Sequence, residues 1–229
     1  MARTKKQVEQ TTAVVESDTP PVIVGSTKTT PKPLLNHWHL TETRTIEPWC
    51  FASEIFTSEE LDTILSIGEN PELSSEMSKG TTVGPASTAR SCYVSWINSG
   101  IPENAWIFQR LTTAVNNINS KFFNYDLLTI DSLQFTKYIS DSEDHYKSHR
   151  DMLYSSFTTR KLSFSMMLSD PADYEGGDLL LHLGEDPEKP KKDRGTVVFF
   201  PSFVLHEVTP VTKGVRYSLV GWVSGPPFK

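Results

Sequence analysis

From Leu133 onward the apolar residues of this 229-residue chain recur at every second position, a period that belongs to extended strands and not to helices. Leu133, Phe135, Lys137 and Ile139 alternate with Gln134, Thr136 and Tyr138. Leu162, Phe164, Met166 and Leu168 alternate in the same way with Lys161, Ser163, Ser165 and Met167. Further strand candidates are 179–183, 196–200, 203–208 and 215–223, separated by Gly176-Gly177, Pro201-Ser202 and Lys213-Gly214 breakers. Six or more short strands at this density point to a β-sandwich or jelly roll.

Helical periods precede the strands. Thr57-Ser58-Glu59-Glu60 fits a T-x-x-E capping box, and Leu61, Ile64, Leu65 and Gly68 follow at helical spacing, which predicts a helix over 58–67. Trp106, Ile107, Leu111, Val115, Ile118 and Phe122 keep one apolar stripe and predict a second helix over 103–122, with a short strand at 91–96 before it. The fold class is therefore mainly β with flanking helices. Residues 1–36 hold no aromatic and are rich in Thr, Pro, Lys and Glu, so they bury too little apolar surface to offset their ordering entropy. They read as a flexible tail ahead of one domain over 37–229, with strand addition by Val22-Ile23-Val24 as the alternative reading of its apolar exceptions.

Charge and cysteine usage narrow the setting. A net charge of -6, from 22 basic and 28 acidic residues, lacks the basic footprint that drives phosphate-backbone binding, so nucleic acid is not expected as an obligatory partner. The two cysteines, Cys50 and Cys92, are too few for a disulfide scaffold and have no C-x-x-C spacing, which fits a reducing cytoplasmic compartment. No apolar run reaches the roughly 18 residues that span a bilayer, and Met1 to Lys6 runs into polar residues instead of a signal-peptide core. Membrane association is not expected.

Chemistry is concentrated in four residues. His149 and Asp151 form H-x-D, which on an extended segment places both side chains on one face. In Phe203-Val204-Leu205-His206-Glu207-Val208, period two sets His206 on the same face as Val204 and Val208. A lone histidine on an apolar face is more often a buried residue satisfied by a hydrogen bond than a ligand, and H-x-D alone arises often by chance. Joined, two imidazoles and one carboxylate make the ligand set of a non-haem iron(II) site with open positions. Zinc can use the same donors, but the helical H-E-x-x-H arrangement of many zinc hydrolases is absent. Arg216 shares a strand face with Ser218, Val220 and Trp222, and its guanidinium fork can pair bidentately with the carboxylate of a keto acid. Its bland alternative is a surface ion pair on an exposed strand face.

Longer strings carry a resemblance. Leu133-Gln134-Phe135-Thr136-Lys137-Tyr138, His145 through Asp151, Arg160-Lys161-Leu162-Ser163, Asp173 through Leu179, Phe200 through His206 and Pro210 through Leu219 occur in one order over residues 90 to 228. This region resembles the 2-oxoglutarate- and iron(II)-dependent dioxygenases of the prolyl 4-hydroxylase-like superfamily, especially the PKHD-type hydroxylases. The resemblance implies a double-stranded β-helix core of jelly-roll or cupin-like form and a dioxygenase domain over 37–229. It implies His149, Asp151 and His206 as catalytic iron(II) ligands, Arg216 as the 2-oxoglutarate residue, and Tyr138 and Ser218 as its helpers. O2 is the implied co-substrate, with ascorbate as an optional addition. Retention of Asp151 implies hydroxylation and not halogenation.

Around the expected mouth, Tyr146, Tyr154 and Trp222 are candidate substrate contacts, and residues 152–159 are the better lid candidate. The charged run 184–194 reads as a solvated hairpin tip. Gly176-Gly177 reads as a structural turn, and Met167 stands where many relatives of the family carry a tyrosine or polar group beside the co-substrate. The implied reaction is hydroxylation of an unactivated C-H bond, first of a prolyl or other amino-acid side chain in a peptide, protein or free amino acid, with succinate and CO2 released. A dioxygenase acting on a nucleobase or small metabolite, and a catalytically silent jelly-roll binding module, are the alternatives.

Overall fold

The structure, a computed structural model, describes residues 23–26, 47–80, 89–152 and 158–228. Its strands are β1 (Ile23–Ser26), β2 (Cys50–Ser53), β3 (Ser78–Lys79), β4 (Arg90–Ser91), β5 (Tyr93–Ile97), β6 (Thr129–Ile130) and β7 (Leu133–Ile139). They continue as β8 (His145–His149), β9 (Thr159–Met167), β10 (Tyr174–Gly176), β11 (Leu179–His182), β12 (Val197–Pro201), β13 (Leu205–Val208) and β14 (Val211–Gly225). Helix α1 (Ser58–Glu69) and helix α2 (Ala105–Ile118) complete the set.

Two sheets form among the described residues. The major sheet runs β1-β2-β12-β9-β14-β7-β5-β3, with β6 and β10 added along β14, and the minor sheet runs β11-β13-β8-β4. Their pairings are antiparallel. This is the jelly-roll arrangement with helices on one side.

The period-two pattern decides which side is which. Phe135, Phe164, Phe199 and Leu219 turn one face of the major sheet toward Ile64, Ile107, Leu111 and Ile118 of the helices, forming the larger core. Residues of the opposite parity, Met167, Val198 and Phe200, meet Leu179, Leu181 and Val204 near the minor sheet in a second, smaller core. Polar residues of that parity, Gln134, Thr136, Ser163, Ser165 and Ser218, are buried as well. The major sheet is thus covered on both faces, and its polar side is an interior.

Helix α1 begins as its capping box requires. The Thr57 hydroxyl accepts from the Glu60 N–H at 3.3 Å, and the Thr57 N–H donates to the Glu60 carboxylate at 2.9 Å. Gly68, in its last turn, lies so close to the Phe135 ring that a Cβ there would strike it. The second predicted helix is present as three consecutive pieces: a 3-10 turn at Pro102–Asn104, α2, and a π turn at Asn119–Phe123 that ends on left-handed Asn124.

Three features differ from the sequence pattern, and a fourth, an exposed hairpin tip as expected, carries contacts the pattern does not show. The strand expected at 91–96 breaks at Cys92, so that β4 joins the minor sheet while β5 joins the major one. Phe203, expected in a strand, sits in a turn closed by the Val204 N–H on the Pro201 carbonyl at 2.9 Å, and is 45% exposed. Within the stretch read as a tail, Ile23–Ser26 pairs antiparallel with β2 and extends the major sheet. The charged run 184–194 folds back: Glu188 and Leu181 exchange backbone bonds, and Lys189 and Lys192 both pair with Asp178. No helix among the described residues is long and apolar enough to cross a membrane.

Candidate metal centre

His149 and His206 stand directly opposite each other as register partners on β8 and β13. Asp151 follows β8 without belonging to it. Its N–H donates to the Ser202 carbonyl at 3.0 Å, and that of Met152 donates to the same oxygen at 2.9 Å, which pins the segment beside the turn before β13. Asp151 thereby reaches both imidazoles, with Oδ1 3.6 Å from His149 Nε2 and Oδ2 3.4 Å from His206 Nε2.

The tautomers follow from the backbone. His149 Nδ1 lies 2.8 Å from the Lys147 carbonyl and His206 Nδ1 lies 3.0 Å from the Val204 carbonyl. A carbonyl only accepts, so each Nδ1 carries the hydrogen and a neutral ring presents a bare Nε2. Burial, joined by the neighbouring His206, lowers the His149 pKa to about 4, so this ring is neutral near pH 7. The approach of Asp151 to His149 is therefore not an ion pair. Three candidate ligand atoms lie within 4.8 Å of one another, and among the described residues Asp151 Oδ2 is buried without a hydrogen-bond partner. Such a cluster is unfavourable unless a cation fills it. Two imidazole nitrogens and one carboxylate suit iron(II).

Packing fixes the rings. Tyr146 stacks on His149 with centroids 3.5 Å apart and planes at 17°, while Phe200 lies 4.7 Å from His206 at 58°. His149, Asp151, His206, Tyr138, Tyr146 and Trp222 line one cavity together with Gln134, Ser165, Leu179, Phe200, Val208 and Val220. Trp222 is a buried wall with Arg160 over its ring at 4.1 Å, and its Nε1 has no hydrogen-bond partner among the described residues. Tyr154 and most of the 152–159 stretch lie outside the described residues.

Arg216 and Ser218 are set deeper. Arg216 is 1% exposed, so the bland reading of a surface ion pair does not hold. Its Nη1 donates to Ser218 Oγ at 3.1 Å, its Nη2 approaches Met167 Sδ at 3.6 Å, and its guanidinium lies 5.1 Å from the centre of the Tyr138 ring. Met167, the departure noted in the sequence, thus supplies a weak sulfur acceptor to the guanidinium. Among the described residues no carboxylate is within ion-pair distance of it. Burial pushes the Tyr138 hydroxyl pKa up, against the pull of Arg216. Gly177, at φ 59°, leaves room beside Arg216: a Cβ there would stand 2.7 Å from Arg216 Cδ.

The 2OG-Fe(II) oxygenase superfamily matches residues 133–224. A PKHD-type hydroxylase of Crocosphaera subtropica is 33% identical over 172 residues, covering 71% of this chain and 76% of that protein. The chain belongs to the PKHD-type hydroxylases. A second PKHD-type hydroxylase, from Gloeothece citriformis, is 41% identical over 96 residues, and that match spans 41% of this chain and only 43% of the relative's length. Among solved structures, a Pseudomonas putida prolyl-4-hydroxylase superposes with a TM-score of 0.63 at 19% identity, over 79% of this chain and 94% of that one. A prolyl hydroxylase from Trichoplax adhaerens, in complex with a hypoxia inducible factor oxygen degradation domain peptide fragment, has the same TM-score and identity over 77% of this chain and 83% of that one. PKHD-type hydroxylases carry iron(II) and 2-oxoglutarate by family, and the convergent acceptor set of this chain fits the metal.

Gln134, Ser165, Phe200 and Val220 line the cavity without having been singled out in the sequence. For Gln134 and Ser165 the signal was the polar half of the strand alternation, which describes a solvent-facing side equally well.

Proposed function

We propose that this chain is a 2-oxoglutarate- and iron(II)-dependent dioxygenase that hydroxylates an unactivated C-H bond of a prolyl or other amino-acid side chain in a peptide, releasing succinate and CO2. The observation that carries the reading is the convergence of His149, Asp151 and His206. Beside it, Arg216 supplies a buried guanidinium without a carboxylate of its own.

Each residue has a part. His149 and His206 would offer Nε2, and Asp151 an oxygen, to hold iron(II). Arg216, with Ser218 and Tyr138, receives the distal carboxylate of 2-oxoglutarate through charge-assisted bonds. Bound iron(II) supplies activation of O2 coupled to decarboxylation of the keto acid. Phe200, Leu179 and Val220 keep the cavity wall dry, and Tyr146 and Trp222 flank the substrate. An amino-acid side chain as substrate is supported by the kinship with PKHD-type hydroxylases, and a peptide by the Trichoplax complex of the same fold. A cytoplasmic setting belongs to the same proposal and is supported by Cys50 and Cys92, both free and buried.

Anaerobic loading with iron(II) and 2-oxoglutarate, followed by O2, tests the reading. Succinate formation is expected, even uncoupled from substrate, and His206→Ala abolishes it. No succinate with a panel of proline-containing peptides, together with no retained iron, overturns the enzyme in favour of a silent binding module.

A further inference from the structure

In a regular strand, residues three apart face opposite ways, yet Tyr146 and His149 stack on one another. The ladder between β8 and β13 explains this. His206 is opposite His149 but Val208 is opposite Tyr146, so β8 holds one residue more than its partner and Lys147 and Ser148 together oppose Glu207. The extra residue turns Tyr146 to the same side as His149. With an imidazole on one face of the Tyr146 ring, the remaining face carries Arg90, whose guanidinium carbon is 4.6 Å from the ring centre. Arg90 and Tyr146 are register partners on β4 and β8.

Arg90 is held in place from behind. Its Nε donates to Cys92 Sγ at 2.9 Å and its Nη1 to Gln134 Oε1 at 3.4 Å, while its Nη2 is buried without a hydrogen-bond partner among the described residues. No carboxylate lies within ion-pair distance of it among the described residues. The ring of Tyr146 is then the surface that meets this cation, and the cation presses that ring onto His149. His149 needs such a restraint more than His206 does: its side chain is 19% exposed against 7%.

We infer that Arg90 is a positioning residue for the metal centre, acting through Tyr146 to hold the imidazole plane of His149. The inference rests on the metal-binding reading above. Orienting a ligand from behind is worth 10- to 100-fold in metal affinity in other metalloproteins.

Co(II) binding, followed by its visible d-d absorption without co-substrate, separates the possibilities. Wild-type protein that binds no Co(II) overturns the metal reading itself, whatever Arg90 does. If wild type binds, Arg90→Met is expected to weaken Co(II) about ten-fold and to shift the band, and Arg90→Lys, which keeps a cation over the ring, to restore most of both. Tyr146→Leu should match Arg90→Met, and the double variant should be no worse than Tyr146→Leu alone, because both changes break the same stack. Unchanged Co(II) affinity and spectrum in a folded Arg90→Met, or additive losses in the double variant, overturn the proposal. If Arg90→Met does not fold, Gln134→Ala replaces it: loosening one anchor of the guanidinium should weaken Co(II) measurably, and no change overturns the proposal equally.

Discussion

A guanidinium buried to 1% exposure without a carboxylate is costly to keep, and that cost is offset when an anion arrives. Arg216 meets Ser218 and a thioether, neither of which neutralises it. Arg216→Lys keeps the charge but loses the fork, so the KM for 2-oxoglutarate should rise roughly 10- to 100-fold while Co(II) affinity stays within about three-fold. Steady-state kinetics and metal titration check the two halves separately; collapse of metal binding would make Arg216 structural. His149 gives a second expectation. Its pKa, lowered to about 4 against an ordinary 6.5, means that the unfolded chain binds the extra proton first. Metal-free protein should therefore lose stability as pH falls from about 6.5 to about 4, and then level off as far as this group is concerned. Thermal midpoints across that range should fall less steeply in His149→Gln.

Elements show why part of the site was legible and part was not. β7, β9 from Leu162 on and β14 from Val215 to Val223 pair in unbroken register and keep period two, so the alternation marks them and also aligns Arg216, Ser218 and Trp222 on one face. β8 does not announce itself, because its extra residue spaces the inward Tyr146 and His149 by three. The split at Cys92 is equally silent: nothing in Arg90 to Ile97 tells which half pairs with which sheet, since that choice is made by distant partners. What alternation cannot separate is a face turned to water from one turned to a polar cavity, and Gln134 and Ser165 fell on that ambiguity. Two glycines show the demands of close approach. Gly68→Ala would drive a methyl into Phe135 and should cost about 1–3 kcal/mol in denaturant unfolding, with the site intact. Gly177→Ala adds a left-handed backbone to a 2.7 Å clash with Arg216 Cδ, so it should raise the KM for 2-oxoglutarate as well as lower stability.

On the scale of the whole molecule, the minor sheet and the segment after β8 gather three groups whose acceptor atoms crowd one another when no cation lies between them. Asp151 comes from the segment after β8, the histidines come from β8 and β13, and Asp151 Oδ2 is without a hydrogen-bond partner among the described residues. An ion that binds only the folded chain adds about 2.7 kcal/mol at 100 times its Kd. The thermal midpoint should climb with added Co(II), return on chelation, and be insensitive to Co(II) in His206→Ala.

The direct pairing of His149 with His206 has a further consequence. Displacing β13 along β8 by a single position would turn His206 away from the cavity, since strand side chains alternate. An ion can be gripped by both imidazoles in one alignment only. A metal bound at this site would therefore favour the native pairing of β8 and β13 over a slipped one.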